Sequence, residues 1–160
     1  MAVEKHDIID LAAEQLRSSI CLFVTGQDLF SSITLAGAAD VLLCRAVEKR
    51  GKETFTSHVL KAENAPGKTL PEMGHEINNM FHINALKHMD GEGDASVTLN
   101  LREAAIGAIL KALPNYTLLR GKEEDFVKVF LMWIKNNLDP EIYNVNCDPN
   151  WKPKSSKQSA

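Results

Sequence analysis

Apolar residues recur at three- and four-residue steps along most of this chain, the spacing of helices that each bury one face. From His6 to Thr25, a single stripe holds Ile8, Ile9, Ala12, Leu16, Ser19, Ile20 and Phe23, with Glu14, Gln15, Arg17 and Ser18 mostly outside it. Asp7 or Asp10 suits the positive end of this first helix, and Gly26 ends it. Gln27-Asp28 is a tight link, so the first two helices form an antiparallel hairpin. The second helix, Leu29 to Arg50, is apolar on most sides, as expected of a helix enclosed by others. Leu29, Ile33, Ala36, Gly37, Leu43, Cys44 and Val47 share one broad arc, and Ala36-Gly37-Ala38-Ala39 lets another backbone come close. Asp40 points into the middle of that arc. A lone carboxylate there is costly unless it meets a donor or a cation.

Gly51 closes the second helix after a basic last turn. Lys52 to Thr69 reads as a long irregular connector, with Ser57 to Ala62 available for a short turn of helix. Thr69 caps a third helix with Pro71 in its first turn, running to about Met89 before Asp90-Gly91-Glu92-Gly93-Asp94 stops it. After an extended stretch, Asn100 caps a fourth helix that Pro114-Asn115 breaks. Its small face, Ala104, Ala105, Ala108 and Ala112, suits the Ala-Gly patch of the second helix. A fifth helix, Lys122 to Asn137, carries Phe126, Phe130, Trp133 and Ile134, and Asp139-Pro140 ends it. The pattern predicts an all-α, single-domain bundle of about five helices over residues 1–144, followed by a polar, disordered tail over 145–160.

The totals change this picture little. The 160 residues suit one domain, and 44% hydrophobic with 24% charged is ordinary for a globular chain. A formal net charge of −3 argues against a domain built to neutralise many phosphates. No apolar run approaches a membrane span, and the N-terminus lacks a signal peptide's apolar segment. Cys21, Cys44 and Cys147 have no short metal-type spacing. Cys21 and Cys44 read as reduced core residues of a cytoplasmic protein.

Candidate chemistry concentrates on the third helix. Met73, Ile77, Met80, Phe81 and Ala85 define an apolar arc in which Asn84 and His88 also fall, one turn apart. Two polar residues on a buried face need partners, and Asp40 is the natural one for His88. Asp40, Asn84 and His88 are therefore expected within hydrogen-bonding reach. Such a cluster is either a network that pins helix register or an acid–base histidine oriented by an aspartate.

The piece INALKHMD, Ile83 to Asp90, resembles a stretch of the HEPN superfamily of small helical proteins, many of them RNases and toxin components. Asn84 and His88 match the second and last positions of that family's arginine-to-histidine signature, while Ile83 stands where the arginine belongs. The resemblance implies a histidine that activates an RNA 2′-hydroxyl. It also implies that the arginine holding the phosphate, the main electrostatic stabiliser, is missing here. Lys87 lies on another helical face. The stretch SSITLAGAADVLL with a later NALKH is also similar to uncharacterised bacterial proteins of like length, some carried on mobile integron cassettes; no known function comes with that likeness.

His75 and His82 are seven residues apart, on one helical face opposite the apolar arc, and zinc would want further ligands that the sequence does not place. Asp90 to Asp94 begins like a calcium loop, then offers Ala95 for the turn glycine and Leu101 for the bidentate glutamate. No phosphate-cradling glycine loop or serine nucleophile elbow is present, so neither a cofactor nor a metal is expected. The sequence reads best as a non-enzymatic binding or interaction protein of unknown small-molecule or protein ligand, forming a homodimer away from membranes. The alternative is a HEPN-like RNase or degenerate nucleic-acid-binding relative using His88 and Asn84.

Overall fold

The computed structural model describes residues 3–64, 66–87, 96–143, 145, 147, 148, 150 and 151. Among them there are helices and no strand, so the all-α class holds, with seven helices rather than about five. They are α1 (Ile8–Thr25), α2 (Leu29–Lys49), α3 (Phe55–Glu63), α4 (Leu70–Met80), α5 (Ile83–Lys87), α6 (Leu101–Arg120) and α7 (Asp125–Asn137). The chain forms two compact units, Met1–Arg120 and Gly121–Ala160.

In the first unit, α1 and α2 make the expected hairpin. Asp7 accepts from the amides of Ile9 and Asp10, Gly26 takes the left-handed conformation at φ 67°, and Asp28 caps α2. The two helices are keyed where they cross. Ser19 Oγ donates to the Ser32 carbonyl at 2.7 Å and Ser32 Oγ returns the bond to the Ser19 carbonyl at 2.9 Å, with both serines fully buried. Leu16, Ile20 and Phe23 of α1, Ile33, Ala36, Leu43 and Val47 of α2, and Ala105, Ala108, Ile109 and Ala112 of α6 are all buried in the core that these three helices share. By length and composition α2 could cross a bilayer, with mean hydropathy 1.5, which corrects the expectation that no apolar run comes near that size. In the structure its apolar arc is instead covered by α1 and α6.

Three other boundaries differ from the sequence reading. The connector after α2 contains α3, capped by Thr54, whose hydroxyl accepts from the Ser57 amide. The fourth helix does not stop at Pro114 but runs on to Arg120. Proline removes one helical hydrogen bond at a cost of about 3 kcal/mol. Here the turn after it is held by tertiary burial, since Asn115 is 1% exposed and Tyr116 3%. The third helix is not continuous to Met89. The capping box of Thr69 and Glu72 starts α4 as expected, but α4 ends at Met80, His82 takes φ 56°, and a short α5 follows. A left-handed non-glycine residue costs on the order of 1–3 kcal/mol. The residues on either side offset that cost by docking into glycine dents: the Phe81 ring lies where a Cβ on Gly107 would be, and Ile83 Cγ2 comes within 2.6 Å of a Cβ built on Gly37.

The second unit is organised on α7, which begins after Gly121 (φ 82°) and buries Val127, Phe130 and Ile134. Phe126 and Trp133, the rest of the expected aromatic stripe, are half-buried. Residues 152–160 of the expected tail lie outside the described residues.

Candidate functional site

Asp40 does find a cation, but not the one expected. α2 and α6 run parallel, as the pairs Asp40–Lys111, Cys44–Asn115 and Arg50–Leu119 show by stepping along both helices in the same direction. Two residues one turn apart on α2, Asp40 and Cys44, therefore face two residues one turn apart on α6, Lys111 and Asn115. Lys111 Nζ donates to Asp40 Oδ2 in an ion pair whose side chains are 6% and 3% exposed. Asn115 Nδ2 donates to Asp40 Oδ1 at 3.0 Å and reaches Cys44 Sγ at 3.3 Å, while its Oδ1 accepts from the Phe55 amide at 2.8 Å. The Cys44 thiol donates to Asp40 Oδ1 at 3.4 Å. One carboxylate thus ties α2 to α6, and through Asn115 to the start of α3.

Asp40, Lys111 and Asn115 of this centre are buried and bonded to one another, so it holds α2 and α6 together. Burial pushes the Cys44 thiol up to about 12, helped by the Asp40 charge, which leaves it protonated and a poor nucleophile at neutral pH. Lys87 of α5 lies beside the centre, its Nζ 3.1 Å from a Cβ built on Gly37. Burial lowers its pKa first and the Lys111 charge second, against the pull of Asp40. The signal for Lys111 was present in the sequence. Ala104, Ala108, Lys111 and Asn115 form one stripe, but a helix ended at Pro114 hides its last member.

The expected pairing of Asp40 with Asn84 is corrected accordingly. Asp40 accepts instead from Lys111 and Asn115 of α6 and from Cys44, and Asn84 bonds elsewhere. Because the helix breaks at Phe81–His82, Ile83 and not Asn84 turns into the core, and Ile83 is 1% exposed. Asn84 is half-buried, donates to Asn79 Oδ1 at 2.8 Å and sits 3.3 Å from His75 Nδ1. His88 and the stretch Asp90 to Asp94 lie outside the described residues. The same break removes the shared face of His75 and His82, which needed one continuous helix. Cys21 is exposed rather than a core residue, because it falls one step off the stripe of Leu16, Ile20 and Phe23; Cys44 is only partly buried. Among the described residues no three His, Cys, Asp or Glu side chains are placed to hold a metal ion.

Open concave surface lies elsewhere. A groove of about 620 Å³ runs between the start of α1 and the last turns of α2. Its floor is apolar, from Ile8, Ile9, Leu42 and Ala46, and Lys5, His6, Asp7, Arg45, Lys49 and Arg50 line the rest. Asp7 is committed to capping α1, and Arg120 Nη2 lies 3.6 Å from it. Arg50 reaches the Leu119 carbonyl at 3.4 Å. Among the described residues no carboxylate pairs with Lys5, Arg45 or Lys49, whereas Lys61, Lys111 and Lys128 each have one and Lys68 has two. A chain of net charge −3 therefore gathers four cations against one carboxylate at a single groove. A smaller cavity of about 400 Å³ borders the start of α3 and Pro114, with exposed His58 at its edge. In the second unit Lys122, Lys128, Cys147 and Trp151 help line one of about 470 Å³. In the smaller cavity Glu53 and Thr54 also reach the lining, the Thr54 hydroxyl committed to the Ser57 amide at the start of α3 and Glu53 to Lys61. No family model, curated protein or solved structure matches this chain.

Proposed function

We propose that this protein is a non-enzymatic binding protein that engages its partner through the groove between α1 and α2. The observation that carries the reading is the set of cations Lys5, Arg45 and Lys49, without a carboxylate partner among the described residues, standing over an apolar floor. Exposed cations left without carboxylates steer an oppositely charged partner and leave an ion pair to be made on arrival. An apolar floor supplies the contact area that charge alone does not. The buried Asp40 centre supports the non-enzymatic half of the reading, because its groups are consumed by one another.

The test is fluorescence anisotropy with labelled polyanions of different kinds, namely poly-glutamate, an acidic peptide and a single-stranded RNA. At least one should bind, and Arg45→Glu with Lys49→Glu should abolish that binding while circular dichroism stays unchanged. Binding by none of them, or equal binding by the double variant, refutes the reading. A fluorogenic RNA incubated with the protein should remain uncleaved.

Self-association is a second proposal, carried by Phe30 (51% exposed) and Val41 (43%), three turns apart on the outer face of α2. Multi-angle light scattering should give a dimer mass that Phe30→Glu reduces to the monomer; a monomer for the wild type removes the proposal.

A further inference from the structure

We infer that the occupant of the α1–α2 groove is an acidic amphipathic helix of another protein, docking as a third helix against the hairpin. The inference rests on the reading of this groove as a binding surface and adds what fills it. The periodicity of the groove's own wall is the first argument. Leu42 and Ala46 are one turn apart on α2, and Arg45 and Lys49 are one turn apart immediately beside them. Apolar and basic residues thus repeat in step over two turns, about 10 Å of helix. A partner helix with apolar anchors at one such spacing and carboxylates at the next meets both rows at once, as in helix-in-groove recognition. Ile8 from α1, half exposed, closes the apolar floor from the other side, and Lys5 extends the basic rim beyond the start of α1.

The other occupants fit less well. Single-stranded nucleic acid stacks successive bases on several aromatic side chains, and among the lining residues the one such ring is His6, with no Phe, Tyr or Trp. A lipid surface is flat, and the apolar residues here form the floor of a concavity with the cations above them. A second copy joined by a two-fold axis through this groove would set its cations against their own duplicates.

The experiment uses the full chain and three labelled probes in anisotropy titrations at about 0.1 M salt, where surface charge is screened beyond about 10 Å. The first is a helical peptide of about 20 residues, long enough to hold helix in water, with leucines on one face and glutamates beside them. The second is a scrambled peptide of the same composition, and the third is a single-stranded RNA of equal formal charge. The helical peptide should bind about tenfold or more tightly than either of the others, as directional apolar contact adds to charge. Arg45→Glu with Lys49→Glu should weaken it by about tenfold or more, with steeper loss in on-rate than in residence time. Ala46→Glu, a change on a helix surface that circular dichroism can show to be folded, should remove the preference over the scrambled peptide. Equal binding of the scrambled peptide, or preference for RNA, overturns the inference while leaving the groove a binding surface. Silence of every probe overturns the binding reading itself. A wild-type dimer that dissociates in the charge-reversed variant assigns the groove to a second copy, and overturns the inference too.

Discussion

A single carboxylate decides much of what happens at the level of side chains. Asp40 receives one bond from Lys111 and one from Asn115, in a site almost without solvent. Removing one partner of such a pair strands the other, which costs about 3–5 kcal/mol, whereas replacing both by apolar groups of similar size can be close to neutral. Asp40→Leu and Lys111→Met should therefore each be strongly destabilising in urea titrations, and the double variant much less so. Additive losses would show that the pair contributes nothing as a pair. The thiols separate in the same way. Exposed Cys21 should react with a disulfide reagent at pH 8 in the folded protein, while Cys44 should react only on unfolding, as peptide mapping of the labelled sites would show. The pH dependence of stability follows from the sign of the shift. The Cys44 pKa is raised by folding from 9.0 to about 12, so the stability tied to its neutral form is fully present below pH 9. It is lost as the pH rises from 9 toward 12, and this alkaline loss should shrink in Cys44→Ala.

Helix termini are where the chain is easiest to read and helix interiors where it misleads. Asp7, Asp28 and the Thr69–Glu72 box act on amides within three residues of themselves, and Gly26 donates its own amide to the carbonyls of Leu22 and Phe23, so their roles are visible in a short window. The break between α4 and α5 has no such marker. It falls at Phe81–His82, with neither glycine nor proline, because Phe81 and Ile83 are drawn into dents on helices distant in sequence. Pro114 misleads in the opposite sense, since its local message to stop is overridden by the burial of Asn115 and Tyr116. The need of Asp40 for a partner was legible, but the partner lies 71 residues away, and choosing it required knowing that α6 continues. The polar candidate read from the third helix, Asn84, was attractive only while the arc of Met73, Ile77 and Phe81 ran on unbroken through it. Two substitutions test this level. Pro114→Ala restores a backbone donor at an exposed helix position and should stabilise by about 1–3 kcal/mol. Gly107→Ala should destabilise despite the better helix propensity of alanine, because its Cβ would occupy the place of the Phe81 ring, and Phe81→Leu should recover part of the loss.

At the scale of the molecule, α1 to α6 share one core, and that core lies within Met1–Arg120. A fragment ending at Arg120 should fold by itself, with helical circular dichroism and a cooperative urea transition. A fragment that stays unfolded would show that the second unit is needed to complete the core. The all-α class was readable from periodicity alone because every buried face repeats near 3.6 residues. The groove was not, since Lys5 and Lys49 come from opposite ends of a hairpin and only the antiparallel crossing brings them to one place. Nothing in a linear reading marks a cation as lacking a carboxylate.

The clamp of Asp40 and Cys44 against Lys111 and Asn115 also constrains how this chain can change over generations. A substitution at any one of the four positions leaves a desolvated group behind, so an isolated change is removed by selection before a compensating one arises. Sequences descended from a common ancestor with this chain should therefore vary at positions 40 and 111 together, either keeping acid with base or turning both apolar. Positions 44 and 115 should follow the same rule more loosely, because a thiol and an amide carry no net charge. A reversed pair, Asp40→Lys with Lys111→Asp, would show how far that path is open: recovery of stability over either single change makes the two sites one heritable unit.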